Sequence, residues 1–248
     1  MKSLVLGLVV AISCTHCLIA QTSESVVLIP IYSSASNGAL GSRWQTHLTI
    51  RNDTPGAVLF TPLRCESPCA GPDSLAPQST RMEDAIRPGL SFEGRLIRFS
   101  TPTPAQIAFE LRVNDMSRNA QSAGTEIPVV RENDLRTRVL LLNIPTDERF
   151  RQSLRIYDLA NGMKIRLRIF AVDANEPLVD ARLDLLQPPE ATTTPAQIAV
   201  HGLTDQYPIL RTVDALRVEI DASDSTQRLW AFVSITNNSS QEFTTISP

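Results

Sequence analysis

The clearest pattern in the chain is Trp44-Gln45-Thr46-His47-Leu48-Thr49-Ile50-Arg51, where apolar or small side chains alternate with polar ones. Side chains of a β-strand point alternately to its two faces, so this period of two buries one face and leaves the other in water. The same alternation recurs in residues 164–169 and 215–220. Turn signals such as Arg87-Pro88-Gly89 separate the runs. Many short strands at this spacing predict an all-β chain built of sandwiches.

Length and composition agree with this prediction. The chain has 248 residues, of which 42% are hydrophobic, so it can form a substantial core. Its 17 prolines exceed its ten glycines, which disfavours long helices. The formal net charge is -3. That value excludes a strongly basic nucleic-acid-binding protein, and no nucleic-acid partner is predicted.

One turn signal has a specific consequence. Asn161-Gly162 lies between alternating residues 153–159 and 163–170. Asn-Gly is the strongest short-range signal for a two-residue β-hairpin turn. The sequence therefore predicts that these two strands are paired neighbours.

A short repeat predicts the domain organisation. Thr103-Pro104-Ala105-Gln106-Ile107-Ala108 recurs at residues 194–199, and each copy lies downstream of an Ile-Pro-aliphatic segment. We interpret this as a duplication that yields two tandem immunoglobulin-like or related β-sandwich domains of about 100 residues each. The polar residues 114–124 have linker composition. We therefore place the domains at residues 21–120 and 125–248.

The first 20 residues have the features of a signal peptide. Lys2 supplies a positive charge, residues 4–12 are apolar, and the small Ala20 precedes the expected cleavage site. A lipoprotein signal ending at Cys14 is the less favoured alternative, because Ala11 stands where a larger aliphatic residue is usual. No later run is long and apolar enough for a transmembrane span. We expect an exported protein, located in the periplasm, on the cell surface or outside the cell.

The mature chain keeps two cysteines, Cys65 and Cys69. In an oxidising compartment this close, even pair predicts a small disulfide loop. A zinc site lacks partner ligands nearby. The run from Asp221 to Ser225 offers too few oxygens for calcium. No metal and no cofactor are predicted.

Catalytic motifs are not apparent. The mature chain has His47 and His201, both on predicted strands, and contains no His-Glu-x-x-His, Gly-x-Ser-x-Gly or phosphate-loop pattern. We therefore predict no catalytic residues and no enzyme. The alternative is a hydrolase of unrecognised geometry, in which a histidine converges with Asp, Glu or Ser in space.

Basic residues are concentrated in residues 131–168, which hold nine of them against five acids. If the strands are adjacent, part of this set forms a stripe for an anionic polymer or an acidic partner. The favoured alternative is a solvated face with cross-strand ion pairs, for example to Asp180 and Asp184. The candidate patch consists of Arg136, Arg138, Arg151, Arg155, Lys164, Arg166 and Arg168.

Two tryptophans, Trp44 and Trp230, are candidates for stacking on sugar rings. Each shares an alternating face with apolar residues, so core packing is the primary expectation. A carbohydrate-binding module would need one of them exposed beside polar groups.

Two segments of the second half resemble a known group. Residues 230–238 with 244–248, and residues 125–132 with Arg136-Thr137, are similar to uncharacterised exported β-rich proteins of the acidobacterial type. The resemblance implies an exported β-rich protein and supplies no catalytic residues.

Together these patterns predict a non-catalytic exported binding or structural protein of adhesion-like type. Its partner would be a protein or a polysaccharide. A carbohydrate-binding module and a hydrolase are the alternatives.

Overall fold

A computed structural model describes residues 23–61, 73–84, 93–118, 123–159, 162–187 and 193–248. Within these ranges the chain is nearly all β, as predicted. The one α-helix there is a single turn, Leu203–Gln206, and the other helical segments are short 3-10 turns. Those segments are Ala39–Gly41, Pro104–Gln106, Met116–Arg118, Glu132–Asp134 and Pro208–Thr212. No helix of the described residues is long and apolar enough to cross a membrane.

The strands fall into two groups along the chain. The first group is β1 Ser23–Tyr32, β2 Ser36–Asn37, β3 Arg43–Asn52, β4 Val58–Phe60, β5 Asp73–Leu75, β6 Ser79–Asp84, β7 Glu93–Thr101, β8 Ile107–Asp115, β9 Thr125–Ile127 and β10 Val130–Arg131. The second group is β11 Arg138–Pro145, β12 Phe150–Asp158, β13 Gly162–Ala171, β14 Val179–Leu186, β15 Ala196–His201, β16 Ala215–Ala222, β17 Trp230–Asn237 and β18 Phe243–Ile246.

The first group forms two sheets. One has the order β10-β1-β7-β4-β5, and the other has the order β2-β3-β8-β9 with β6 also paired to β3. In β3 every second residue from Trp44 is buried, which confirms the alternation read from the sequence. The apolar members of this set, Trp44, Leu48 and Ile50, share one core with residues of the facing sheet. Those residues include Leu28, Leu96 and Phe99.

The division between the two groups lies later than predicted. β9 pairs with β8, through Leu111 opposite Ile127, and β10 pairs with β1, through Leu28 opposite Val130. Residues 125–131 therefore belong to the N-terminal sheets, and the predicted start of a second domain at residue 125 is wrong. The polar composition of residues 114–124 marks a connection within the first sandwich, because the strand that follows it still completes a sheet there.

The second group forms one sheet of eight strands in the order β11-β16-β13-β14-β15-β12-β17-β18. β14 and β15 share the single register pair Leu186 opposite Gln197, so the sheet divides there into two layers of four strands. Inward residues of both layers, such as Leu167 and Leu154, form a second core. A β-bridge between Arg136, just before β11, and Leu229, just before β17, also links the two layers.

The predicted Asn-Gly hairpin is wrong. β12 pairs with β15 and β17, whereas β13 pairs with β14 and β16, so the two strands are not neighbours. Gly162 does have the positive φ of 105° that the turn signal requires. A Cβ there would lie 2.4 Å from the Leu185 carbonyl oxygen. Gly162 therefore lies where the chain passes from β12 in one layer to β13 in the other. β12 cannot pair with β13 because it is hydrogen-bonded on both sides to β15 and β17, which are distant in sequence.

The repeated hexapeptide adopts two different local structures. In the first copy Pro104–Gln106 is a 3-10 turn that precedes β8. In the second copy Ala196 and Gln197 already lie in β15. The two copies therefore have no common place in the two sandwiches, and duplication stays a prediction, as does the immunoglobulin-like assignment.

The two cores meet across β12 and β17. Tyr157, Trp230 and Phe232 project from the eight-stranded sheet into the core of the first sandwich. The Tyr157 and Phe232 rings are stacked with centroids 6.4 Å apart, and the Tyr157 hydroxyl donates a 2.5 Å hydrogen bond to the Pro30 carbonyl. Nearby, the Thr125 hydroxyl donates to the Phe243 carbonyl at 2.6 Å. Aromatic packing thus joins the two sandwiches.

Candidate functional site: a charged sheet face

Four of the seven predicted patch residues lie together on the outer face of β11, β16, β13 and β14. The alternation of β13 sends Ile165, Leu167 and Ile169 into the core and the polar side chains between them outward. Directly opposed residues of antiparallel strands share a face, so the registers define one surface. We call it the charged face, and it comprises Arg138, Lys164, Arg166, Arg168, Asp180, Arg182, Asp184, Arg217, Glu219 and Asp221.

Glu219 is the centre of this network. Its side chain is only 9% exposed, and its carboxylate lies 2.8 Å from Arg138, 3.0 Å from Arg168 and 3.3 Å from Arg217. A buried carboxylate is tolerated when several charged donors replace its lost hydration. Glu219 therefore anchors the long guanidinium side chains over the sheet.

The neighbouring strand carries a second ion pair. Arg166 donates two hydrogen bonds to Asp180, from Nε at 2.9 Å and from a terminal nitrogen at 2.6 Å. These hydrogen bonds lower the pKa of Asp180 and raise the pKa of Arg166. Lys164 and Asp184 are farther apart, at 3.9 Å. These two ion pairs confirm the cross-strand pairing to Asp180 and Asp184 that the solvated-face alternative predicts.

The cations extend farther into solvent than most of their partners. Arg138 and Arg166 are 57% and 52% exposed, whereas Glu219 and Asp221 are 9% and 30% exposed. Long basic side chains lay their stems along a sheet and keep their charged ends in water. Six cations against four carboxylates leave this face with a net charge of +2 on a chain whose total is -3.

No family model, curated protein or solved structure matches this chain.

The other three predicted patch residues lie elsewhere. Arg136 donates to the Asn133 and Leu135 carbonyls beside β11. Arg151 donates to Gln241 at 3.1 Å, from β12 in the opposite layer. Arg155 is 4% exposed, and burial lowers its pKa. The inclusion of Arg155 in a surface patch is wrong, because β12 is covered on both faces.

The two tryptophans are core residues. Trp44 is 6% exposed and Trp230 is 4% exposed. Trp44 packs against Phe243 with ring centroids 5.5 Å apart, and Trp230 packs against Phe232 at 5.3 Å. Sugar stacking on either ring is contradicted by this burial, because stacking needs an open ring face.

The two histidines lie on different sheets. His47 is on β3 and lines a shallow depression of about 350 Å³ with Met82 and Arg112. His201 ends β15, where its Nδ1 lies 3.4 Å from the Ser153 hydroxyl, and burial lowers its pKa. Among the described residues no group of three His, Cys, Asp or Glu is placed to hold a metal. Cys65 and Cys69 lie outside the described residues.

Three residues of the charged face, two cations and one acid, are absent from the predicted patch: Arg182, Arg217 and Glu219. The signal for Arg182 is its position between Asp180 and Asp184 in an alternating run. The alternation of β16 places Arg217 beside Glu219, but nothing in the sequence indicates that Arg138 and Arg168 join them, because those arginines come from two other strands that only the sheet order brings together.

Proposed function

We propose that this protein is a non-catalytic, exported binding protein that presents the charged face to a polysaccharide or protein partner. The proposal is carried by one observation, the open four-strand surface on which Arg138 and Arg166 are more exposed than Glu219 and Asp221. Such an arrangement attracts anionic groups while the Glu219 network holds the side chains in place.

The joined cores support the same proposal. Tyr157, Trp230 and Phe232 use their large apolar surfaces within the molecule. The contacts of these side chains with the first core hold the two sandwiches together, which supports presentation of a fixed surface. This function requires export, which the signal-peptide features of residues 1–20 predict.

The first experiment is a binding assay of the secreted protein against neutral glycans, charged glycans and envelope extracts at low and moderate salt. We expect binding that weakens as salt rises, because salt screens the attraction between exposed charges, over a Debye length of about 10 Å at 0.1 M salt. The same glycans are analysed after incubation for shorter products. Catalytic release of such products would contradict a non-catalytic role and favour the hydrolase.

A further inference from the structure

A row of arginines crosses the charged face. In the registers of the sheet, Arg138 lies opposite Asp221, Asp221 lies opposite Arg166, and Arg166 lies opposite Arg182. Neighbouring strands are about 4.8 Å apart, so the row spans roughly 14 Å across the four strands. Three of its four positions carry a guanidinium group.

The pair of Arg166 and Arg182 is unfavourable for folding. Like charges directly opposite each other on a sheet face destabilise it. Arg166 turns to Asp180, which lies two residues along β14 from Arg182. Arg182 is exposed and forms no ion pair with the described residues. Asp180 attracts both arginines, and this attraction helps to lower the pKa of Asp180. A bound oxyanion would reduce any repulsion that remains between Arg166 and Arg182.

We infer that Arg138, Arg166 and Arg182 form a binding row for the oxyanion groups of an acidic polysaccharide. This inference rests on the proposed function and names the ligand class. Guanidinium groups match carboxylates and other oxyanions with hydrogen bonds. Arg166 and Arg138 already use some of their N–H groups on Asp180, Glu219 and Asp221, so their remaining N–H groups and those of Arg182 would bind the ligand.

The shape of the surface favours an extended polymer. The row runs over four adjacent strands of one sheet layer, so successive charged groups of a chain can contact it in turn. A protein partner would instead seek aromatic anchors. The exposed apolar side chains of this face are aliphatic, with Leu140 at 43% and Leu186 at 72% exposure. The aromatic ring of this face, Phe170, is 3% exposed and is covered by Arg217 with 4.4 Å between guanidinium carbon and ring centroid.

The decisive variant is Arg182→Ala, measured in the secreted protein with heparin as the sulfated probe and polygalacturonate as the carboxylated probe. At low salt we expect about three- to tenfold weaker binding and a shallower salt dependence. We also expect Tm to change little, because the variant removes both the repulsion from Arg166 and the attraction to Asp180. A purely structural arginine would instead give unchanged binding and a lower Tm.

Two further variants sharpen the test. Asp180→Asn releases Arg166 and adds positive charge to the face, so it should strengthen binding to the same probes. Arg51→Ala is the matched control, because Arg51 is an ion-paired, 39% exposed arginine on β3 of the other sandwich. Its binding should equal that of the unmodified protein.

The outcomes separate the inference from the proposed function. Equal binding by Arg182→Ala and the unmodified protein would overturn the arginine row, as would binding to neutral glycans alone. Binding to polyaspartate with no binding to either polysaccharide would overturn the ligand class. In these cases a binding function survives, whereas catalytic cleavage of the probes contradicts the proposed function itself.

Discussion

Two strands of the eight-stranded sheet, β17 and β13, have opposite surroundings. In β17 the six residues from Trp230 to Ile235 are all buried, because the strand lies between two cores. In β13 burial alternates, and Lys164 and Arg166 face solvent. A continuous apolar strand within an antiparallel sheet thus marks the wall between two cores, and an alternating strand marks an outer surface.

The difference assigns the two strands different roles. Phe232 and Trp230 on β17 connect the sandwiches, and their substitution should affect the stability of both. The outward residues of β13 carry charges that contribute little to stability and are free to serve binding. The following predictions test this contrast in order of expected effect.

Phe232→Ala should have the largest effect. Phe232 is fully buried and contacts Tyr157, Trp230 and Arg155. We expect a loss of about 3–5 kcal/mol in the free energy of unfolding, from lost burial and a residual cavity. Denaturant unfolding followed by tryptophan fluorescence measures it. A loss below about 1 kcal/mol would contradict the shared wall between the cores.

Glu219→Gln, on the outer surface, should lower the free energy of unfolding by an intermediate amount. The substitution removes the charge that holds Arg138, Arg168 and Arg217, although Asp221 remains beside two of them. We expect a loss of about 1–3 kcal/mol in unfolding free energy. Raised salt should reduce the difference from the unmodified protein. Equal stability at low salt would show that Glu219 does not organise the network.

Tyr157→Phe should cost about 1 kcal/mol, because it removes the buried hydrogen bond to the Pro30 carbonyl and keeps the ring. Burial also raises the pKa of Tyr157. A raised pKa means that the stabilisation is complete below the ordinary tyrosine value of about 10 and declines as pH rises above it. Unfolding measured at successive alkaline pH values should show this decline, and the decline should be smaller in Tyr157→Phe.

Lys164→Ala should have the smallest effect. Lys164 is 80% exposed and lies 3.9 Å from Asp184. We expect a change within about 0.5 kcal/mol, as for most exposed ion pairs. This variant is also the control for Phe232→Ala, since both residues lie on strands of the same sheet. A large loss would show that β13 supports the fold through its outer face.

Much of the strand content could be predicted from local patterns. The alternation in residues 44–51 and 164–169 predicts which side chains are buried, and the structure confirms this for Leu48, Ile50 and Leu167. The alternation also indicates that Arg166 faces outward, whereas its ion pair with Asp180 depends on the pairing of β13 with β14. Period-two patterning depends only on backbone geometry, so it can be read without knowing the partner strand.

Strand pairing could not be predicted in this way. The Asn-Gly signal indicates the backbone conformation of Gly162 but not which strands pair. β12 pairs with strands that contribute Ala231 and Ile198, far from it in sequence. A local turn preference is worth less than the burial of whole strands, so the longer-range arrangement prevails.

The sequence by itself determines that the described chain is β-rich, which faces of β3, β13 and β16 are apolar, and where basic residues are concentrated. The tertiary structure alone decides that Arg155 is buried and that Arg138, Arg166 and Arg182 stand in one row. The physical reason is that side-chain alternation is a property of a single strand, whereas burial on the second face and neighbours across a sheet depend on strands brought together from distant parts of the chain.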